Sequence, residues 1–166
     1  MTISTEQLPD DWMERDNVAG RTWHGLSGEP FHRASPLARL ARVRTDGVRA
    51  AGDLARKNGR MLRVVRYVRT SVHEVAAQLE ALELTAQSRH LLVLDEVFRD
   101  PVTTAPLVCR PGLADAQLLV SAGRADGILA PTYEDISSDL GEYEAFLHAM
   151  ADRGCFVALA LPETGR

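Results

Sequence analysis

The sequence predicts an α/β fold: a three-layer sandwich around a mainly parallel sheet of at least four strands, preceded by a basic N-terminal helix. Three observations carry this. From Met61 onward, short apolar runs alternate with helical stretches, the pattern of strand–helix–strand units. The last run, Phe156 to Leu161, is apolar without interruption, as a strand buried on both faces requires. Glycine stands at the end of several helical stretches, at Gly59, Gly123 and Gly154. Length and composition agree with one core. The chain has 166 residues, 45% hydrophobic and 25% charged, which excludes a wholly disordered, collagen-like or membrane-spanning class.

The first 34 residues read as a polar tail, with Trp12 and Trp23 as their only large anchors and no secretory signal, so the cytoplasm is the expected compartment. Residues 35–60 read as a helix and turn. Ser35-Pro36 has the form of an N-cap followed by proline at the first helical position. Leu37, Leu40, Val43 or Arg44, Val48, Ala51 and Leu54 or Ala55 then recur at helical spacing, and Asn58-Gly59 closes the segment. Burial of Leu37, Leu40, Val48 and Leu54 is expected to offset Gly47 and Gly52, each of which costs about 1 kcal/mol relative to Ala.

The α/β part spans 61–166. Leu62 to Arg69 reads as the first strand, Glu74 to Gln87 as a helix, and Leu91 through Phe98 as the second strand. Pro111 to Ala122 is helical, Gly127 to Ala130 is a third strand, Asp135 to Asp152 is one long helix, and Cys155 to Leu161 is the fourth strand. Cys109 and Cys155 show neither a CxxC nor a paired histidine, so both are expected as buried or half-buried thiols rather than a disulfide or zinc site. No metal and no cofactor is called for. His73-Glu74 and the acid pairs Asp95-Glu96 and Glu134-Asp135 read as solvated loop or strand ends.

Charge is uneven. Residues 1–60 hold ten Lys and Arg against eight Asp and Glu, and residues 61–166 hold nine against fifteen. Between Arg33 and Arg66 there are ten basic residues and only two acids, Asp46 and Asp53. A basic stretch of this kind suits weak, sequence-independent contact with DNA phosphates through Arg39, Arg42, Arg49 and Arg56.

In a parallel sheet, chemistry gathers at the carboxyl ends of the strands. The first strand ends in Tyr67-Val68-Arg69-Thr70-Ser71. This resembles the Y-x-R-V-S motif of the serine recombinases, the resolvase and invertase family. Gln78-Leu79-Glu80-Ala81-Leu82 is similar to the Q-R-x-A-L of the family's first helix, and Cys109-Arg110-Pro111-Gly112-Leu113 is similar to its D-R-P-x-L. Asp126-Gly127-Ile128-Leu129 matches the start of the family's third strand, and the likeness runs from Met61 to about Glu163. The resemblance implies Ser71 as nucleophile, Arg69 and Arg110 as active-site cations, Glu134 as a retained acid, and Tyr67 and Thr70 as substrate-binding residues.

One motif departs from the family. Where its members carry L-D-R-L-S-R, with two arginines for the scissile phosphate, this chain has Tyr133-Glu134-Asp135-Ile136-Ser137-Ser138. Asp135 and Ser138 replace the arginines, and the segment from Ser71 to Gln78 is about two residues short. A serine attacking a phosphodiester builds negative charge, and losing one stabilising donor costs roughly 10²–10³ in rate. An anion about 4 Å from the phosphate adds roughly 4 kcal/mol of repulsion at an effective dielectric near 20. The family's long C-terminal helix and DNA-binding region also find no counterpart in these 166 residues.

The expected function is therefore a serine-recombinase-type catalytic domain, related to site-specific recombination, that is inactive and serves as an interaction or regulatory module. Ser71 would then be a vestigial nucleophile. Its candidate partners are DNA, a second copy of the chain or another recombinase-like protein, with no membrane. Two alternatives stand beside this: an active strand-exchange component using Ser71 with a partner, and an anion- or nucleotide-binding α/β domain. The last lacks the Gly-rich phosphate motifs.

Overall fold

The computed structural model describes residues 34–163, so the polar tail and its tryptophans lie outside the described residues save for Ala34. Helix α1 (Pro36–Lys57) comes first. Strand β1 (Arg63–Arg69), helix α2 (Val75–Ser88) and strand β2 (Leu92–Asp100) follow. A 3-10 turn (Leu107–Cys109) leads to helix α3 (Pro111–Ser121) and strand β3 (Gly127–Ala130). A short helix α4 (Tyr133–Ile136), helix α5 (Leu140–Ala151) and strand β4 (Phe156–Leu159) complete the order.

All strands run parallel in the order β2-β1-β3-β4. Strand order therefore reverses between β1 and β3, and the carboxyl ends of these two strands flank the switch point where such sheets place ligands. Both faces are covered. On one, Leu113, Ala116 and Val120 of α3 and Tyr143, Phe146 and Met150 of α5 pack on Val65, Tyr67, Ile128 and Val157. On the other, Leu82 and Ala86 of α2 pack on Val64, Val68, Leu129 and Phe156. Burial on two sides explains why β3 and β4 are inaccessible along their whole length rather than at alternate residues.

Two crossovers travel toward β4 and one toward β2, so right-handed connections leave one face with a single helix and its β3–β4 half uncovered. Helix α1 fills that space. It sends Val48 and Ala51 to the core beneath α2, and Leu40 and Val43 to the core beneath α5. The buried stripe runs through Leu40, Arg44, Val48, Ala51 and Ala55, which leaves Leu54 about 100° away and 54% exposed. The expected burial of Leu54 is thus corrected to Ala55.

The single long helix expected over Asp135 to Asp152 is two helices. Ser137 is extended (φ −154°, ψ 137°), and Asp139 caps α5 by accepting from Glu142 N at 2.8 Å. Helix α4 is closed at its start by a reciprocal capping box between Thr132 and Asp135. The cysteine expectation is also corrected in part, since Cys155 is buried but Cys109 is exposed. Backbone approaches closely at Gly112, whose Cβ would collide with the Arg99 carbonyl, and at Gly127, where a Cβ would lie 2.6 Å from the Phe156 carbonyl oxygen. Among the described residues, no helix is long and apolar enough to cross a membrane.

Candidate active site

Strand β1 ends at the surface. Thr70, just past it, is buried, while Ser71 is exposed. The hydroxyls of both donate to the same oxygen, Glu74 Oε2, at 3.0 Å from Thr70 and 3.1 Å from Ser71. Ser71 is not the N-cap of α2. That position is taken by Glu74, with no side-chain hydrogen bond to the helix start. Glu74 thus serves the two hydroxyls instead, and of the pair His73-Glu74 it is the member engaged at this edge.

Tyr67 does not reach the surface. Its ring is wholly buried and its hydroxyl donates to Asp100 Oδ2 at 3.1 Å. Burial, then the adjacent Asp100 carboxylate, pushes the phenol well above its ordinary pKa. Asp100, the last residue of β2, accepts from Gly112 N at 2.8 Å and Leu113 N at 3.0 Å. It is therefore a long-range cap for α3, holding the orphan N–H groups of that helix. No sequence signal marks Asp100, because caps are read locally and this one lies 12 residues from the nearer N–H it accepts.

Arg110 is buried, and its Nε and Nη1 are committed to backbone. It donates to Ala105 O at 3.2 Å, to Asp135 O at 3.1 Å, and closely to Ile136 O. These last carbonyls belong to the end of α4, where a cation also suits the helix dipole. Asp135 turns back on Thr132, accepting from its N–H at 2.9 Å and its hydroxyl at 2.8 Å. Burial raises the Asp135 pKa, against the pull of the Thr132 hydrogen bonds and the nearby charge of Arg69. Arg69 itself makes no side-chain hydrogen bond to another described residue.

A cavity of about 560 Å³ opens at this edge, lined by Arg69, Thr103, Thr104, Arg110, Ser138, Asp139 and Glu142 among others. Ser71 is not among its lining residues. Of the acid run, Glu134 accepts from Tyr133 at 3.3 Å and Asp135 caps α4. Ser137 is buried and donates to Glu142 Oε2 at 2.8 Å, while Ser138 is exposed. The sequence reading missed Asp100 and the Ser137–Glu142 pair. Asp139-x-x-Glu142 marks the start of α5, but that pattern aims Glu142 at the Asp139 N–H, which here goes to Ser137 Oγ instead.

On the outer face of α1, Arg39 forms a two-pronged pair with Glu144 (2.7 and 2.8 Å), Arg49 lies 3.5 Å from Asp46, and Arg56 pairs with Asp53. Arg42 is exposed and makes no side-chain hydrogen bond to another described residue.

Against known proteins, no family model matches the chain and no curated protein matches it. Among solved structures, the fold matches the C-terminal catalytic domain of ISC1926 TnpA, an IS607-like serine recombinase. The TM-score is 0.52 at 20% identity, over 59% of this chain and 69% of that one. The likeness is one of architecture: this is a serine-recombinase-like α/β fold.

Proposed function

We propose that this chain is a serine-recombinase-like domain that does not cleave DNA and acts by binding, as an interaction or regulatory module in DNA recombination. The observation that carries this reading is the pairing of Ser71 with Glu74 at 3.1 Å. The Glu74 carboxylate stands against the Ser71 hydroxyl, and a phosphate brought to about 4 Å from it meets a repulsion of about 4 kcal/mol at an effective dielectric near 20. Arg110 gives its Nε and Nη1 to three carbonyls, and Asp135 and Ser138 offer no positive charge. Among the described residues that line the cavity, Arg69 is the guanidinium without a side-chain hydrogen bond, and each absent donor costs roughly 10²–10³ in rate.

DNA contact in this reading is weak and sequence-independent, through Arg39, Arg42, Arg49 and Arg56. The ion pairs that hold three of these are solvent-exposed and exchange readily for phosphate. The second reading, a strand-exchange enzyme completed by a partner, rests on the same contact, because Glu74 stands where a general base for Ser71 would stand.

A suicide DNA duplex that traps a 5′-phosphoserine link separates the two, with Ser71→Ala as control. No covalent adduct is expected from either protein. An adduct that forms with the wild-type chain and vanishes in Ser71→Ala establishes the enzyme.

A further inference from the structure

Helices α1 and α2 form one layer on the same face of the sheet, where Val48 and Ala51 of α1 join the core beneath α2. Both run from the carboxyl to the amino edge of the sheet, since α2 follows β1 and α1 leads into it. Their outer surfaces differ. That of α1 is charged, with Arg42, Asp46, Arg49, Asp53 and Arg56 exposed. That of α2 is apolar: Ala77, Ala81 and Leu84 stand opposite Leu79, Leu82 and Ala86 of its core side, and Leu84 is 61% exposed. With Ser88 they repeat at spacings of four, three and four residues, the seam of a two-helix pair. A helix that is apolar on both sides is one that is covered on both.

Charge is divided across this seam. Glu83 lies 3.6 Å from Arg66, whose Nη2 donates to Leu94 O of β2, so Glu83 and Glu80, one turn before it, mark the β2 side. Glu80 itself forms no ion pair or hydrogen bond with another described residue. The α1 side is cationic. Arg89 reaches toward β4, donating to Leu159 O at 2.8 Å. The Cβ position of Gly52 lies 3.9 Å from Leu62 in the core beneath α2, and Arg49 and Arg56, three residues before it and four after, share that flank of α1.

An acidic stripe, an apolar seam and a basic stripe thus run side by side. A two-fold axis parallel to the helices turns this surface onto itself with acid over base, whereas one perpendicular to them sets acid on acid. The parallel axis also fixes the register, because it leaves every residue at its own height along the helix, so that Leu84 meets Leu84 of the second copy. Together the two helices offer a face roughly 20 Å wide and 20–30 Å long, the scale of a small specific interface.

The geometry points to the α1–α2 layer as a self-association surface, on which a second copy of this chain packs its α2 parallel to the first along Ala77, Ala81 and Leu84, each acidic stripe over the other copy's basic one. The interface is isologous and closed. Both Ser71 edges then face the same way. The pairing does not depend on whether Ser71 reacts.

The test follows mass against concentration by sedimentation equilibrium, with the full chain and without DNA, since Arg49 and Arg56 also carry the proposed DNA contact. A dimer is expected. Leu84→Glu should abolish it by setting two carboxylates against each other on the axis. Glu80→Arg should weaken it about tenfold, as two facing contacts change from attraction to repulsion, although it reduces the net charge of −4 and with it the general repulsion between copies. Both positions are exposed, and circular dichroism checks that each variant is folded. As an independent arm, Leu84→Cys with Cys109→Ser should oxidise to a covalent dimer. Ala114→Cys with Cys109→Ser, exposed on α3 at the opposite face, should not. A chain that stays monomeric, a dimer unchanged by either charge variant, or cross-linking at 84 no greater than at 114 would each overturn the assignment.

Discussion

Arg44 of α1 and Glu163, past the end of β4, form a buried two-pronged ion pair, with Nε 2.8 Å from Oε1 and Nη2 3.0 Å from Oε2. The Glu163 side chain is fully inaccessible and that of Arg44 is 10% exposed. Tyr143 of α5 donates to the same carboxylate at 2.8 Å. The basic helix is therefore fastened to the α/β layers by polar contacts as well as by Leu40 and Val48.

Removing one partner of such a pair leaves the other charge buried, so Arg44→Met should cost about 3 kcal/mol by urea unfolding. Replacing the whole cluster with apolar groups (Arg44→Met, Glu163→Leu, Tyr143→Phe) should recover most of that loss. Equal stability of Arg44→Met and wild type would show that the pair contributes nothing.

The cluster also gives a pH dependence. Burial acts to raise the Glu163 pKa, but hydrogen bonds from Arg44, from its own backbone and from Tyr143, together with the Arg44 charge, bring it below the usual glutamate range. In that window the unfolded chain binds more protons than the native one. The stabilisation is thus complete above the ordinary glutamate pKa and is lost as pH falls through the lowered one. Urea midpoints measured downward from pH 7 should therefore converge for wild type and Glu163→Gln. A gap that stays constant contradicts the assignment.

Asp100→Ala removes the acceptor for two N–H groups of α3 and for the Tyr67 hydroxyl at once. The expected cost is about 2–4 kcal/mol, from a lost cap and an unpartnered buried donor. Tyr67→Phe, which deletes only the donor, should cost about 1 kcal/mol. Comparable losses in the two variants would show that Asp100 does not cap α3.

Gly127→Ala places a Cβ 2.6 Å from the Phe156 carbonyl oxygen and 2.7 Å from its ring, between two central strands. Overpacking of this kind should lower stability by about 1–3 kcal/mol. Gly47→Ala is the contrast. Nothing lies within 4 Å of its Cβ position, so it should raise stability by about 1 kcal/mol through helix propensity. Thermal unfolding of the two variants in opposite directions checks both.

Deleting residues 1–60 should uncover the β4 edge and the apolar surface of α5 that α1 covers. Dye binding to exposed apolar surface and aggregation on heating are expected. A monodisperse 61–166 fragment with unchanged Tm would contradict this packing.

Local chemistry determined much of this protein from sequence alone. Apolar runs bounded by glycine yielded four strands and their alternation with helices, because periodicity reports burial residue by residue. The Ser35-Pro36 start of α1 was legible for the same reason, since a cap is a contact between near neighbours. The break at Ser137 was encoded as well, in the cap patterns of Thr132 and Asp139, but it was hidden by the unbroken helical composition around it.

Tertiary structure decided what each edge residue does. Tyr67, Arg69, Thr70, Ser71 and Arg110 stand at one edge by strand order. Yet whether Arg110 is a free cation depends on the carbonyls of residues 105, 135 and 136, and whether Ser71 has a partner depends on how the segment after β1 places Glu74. The same holds for Asp100 and Arg44, whose partners lie 12–13 and 119 residues away. Hydrogen bonds act over about 3 Å of space with no regard for sequence separation, so only the folded chain specifies which buried charge meets which donor.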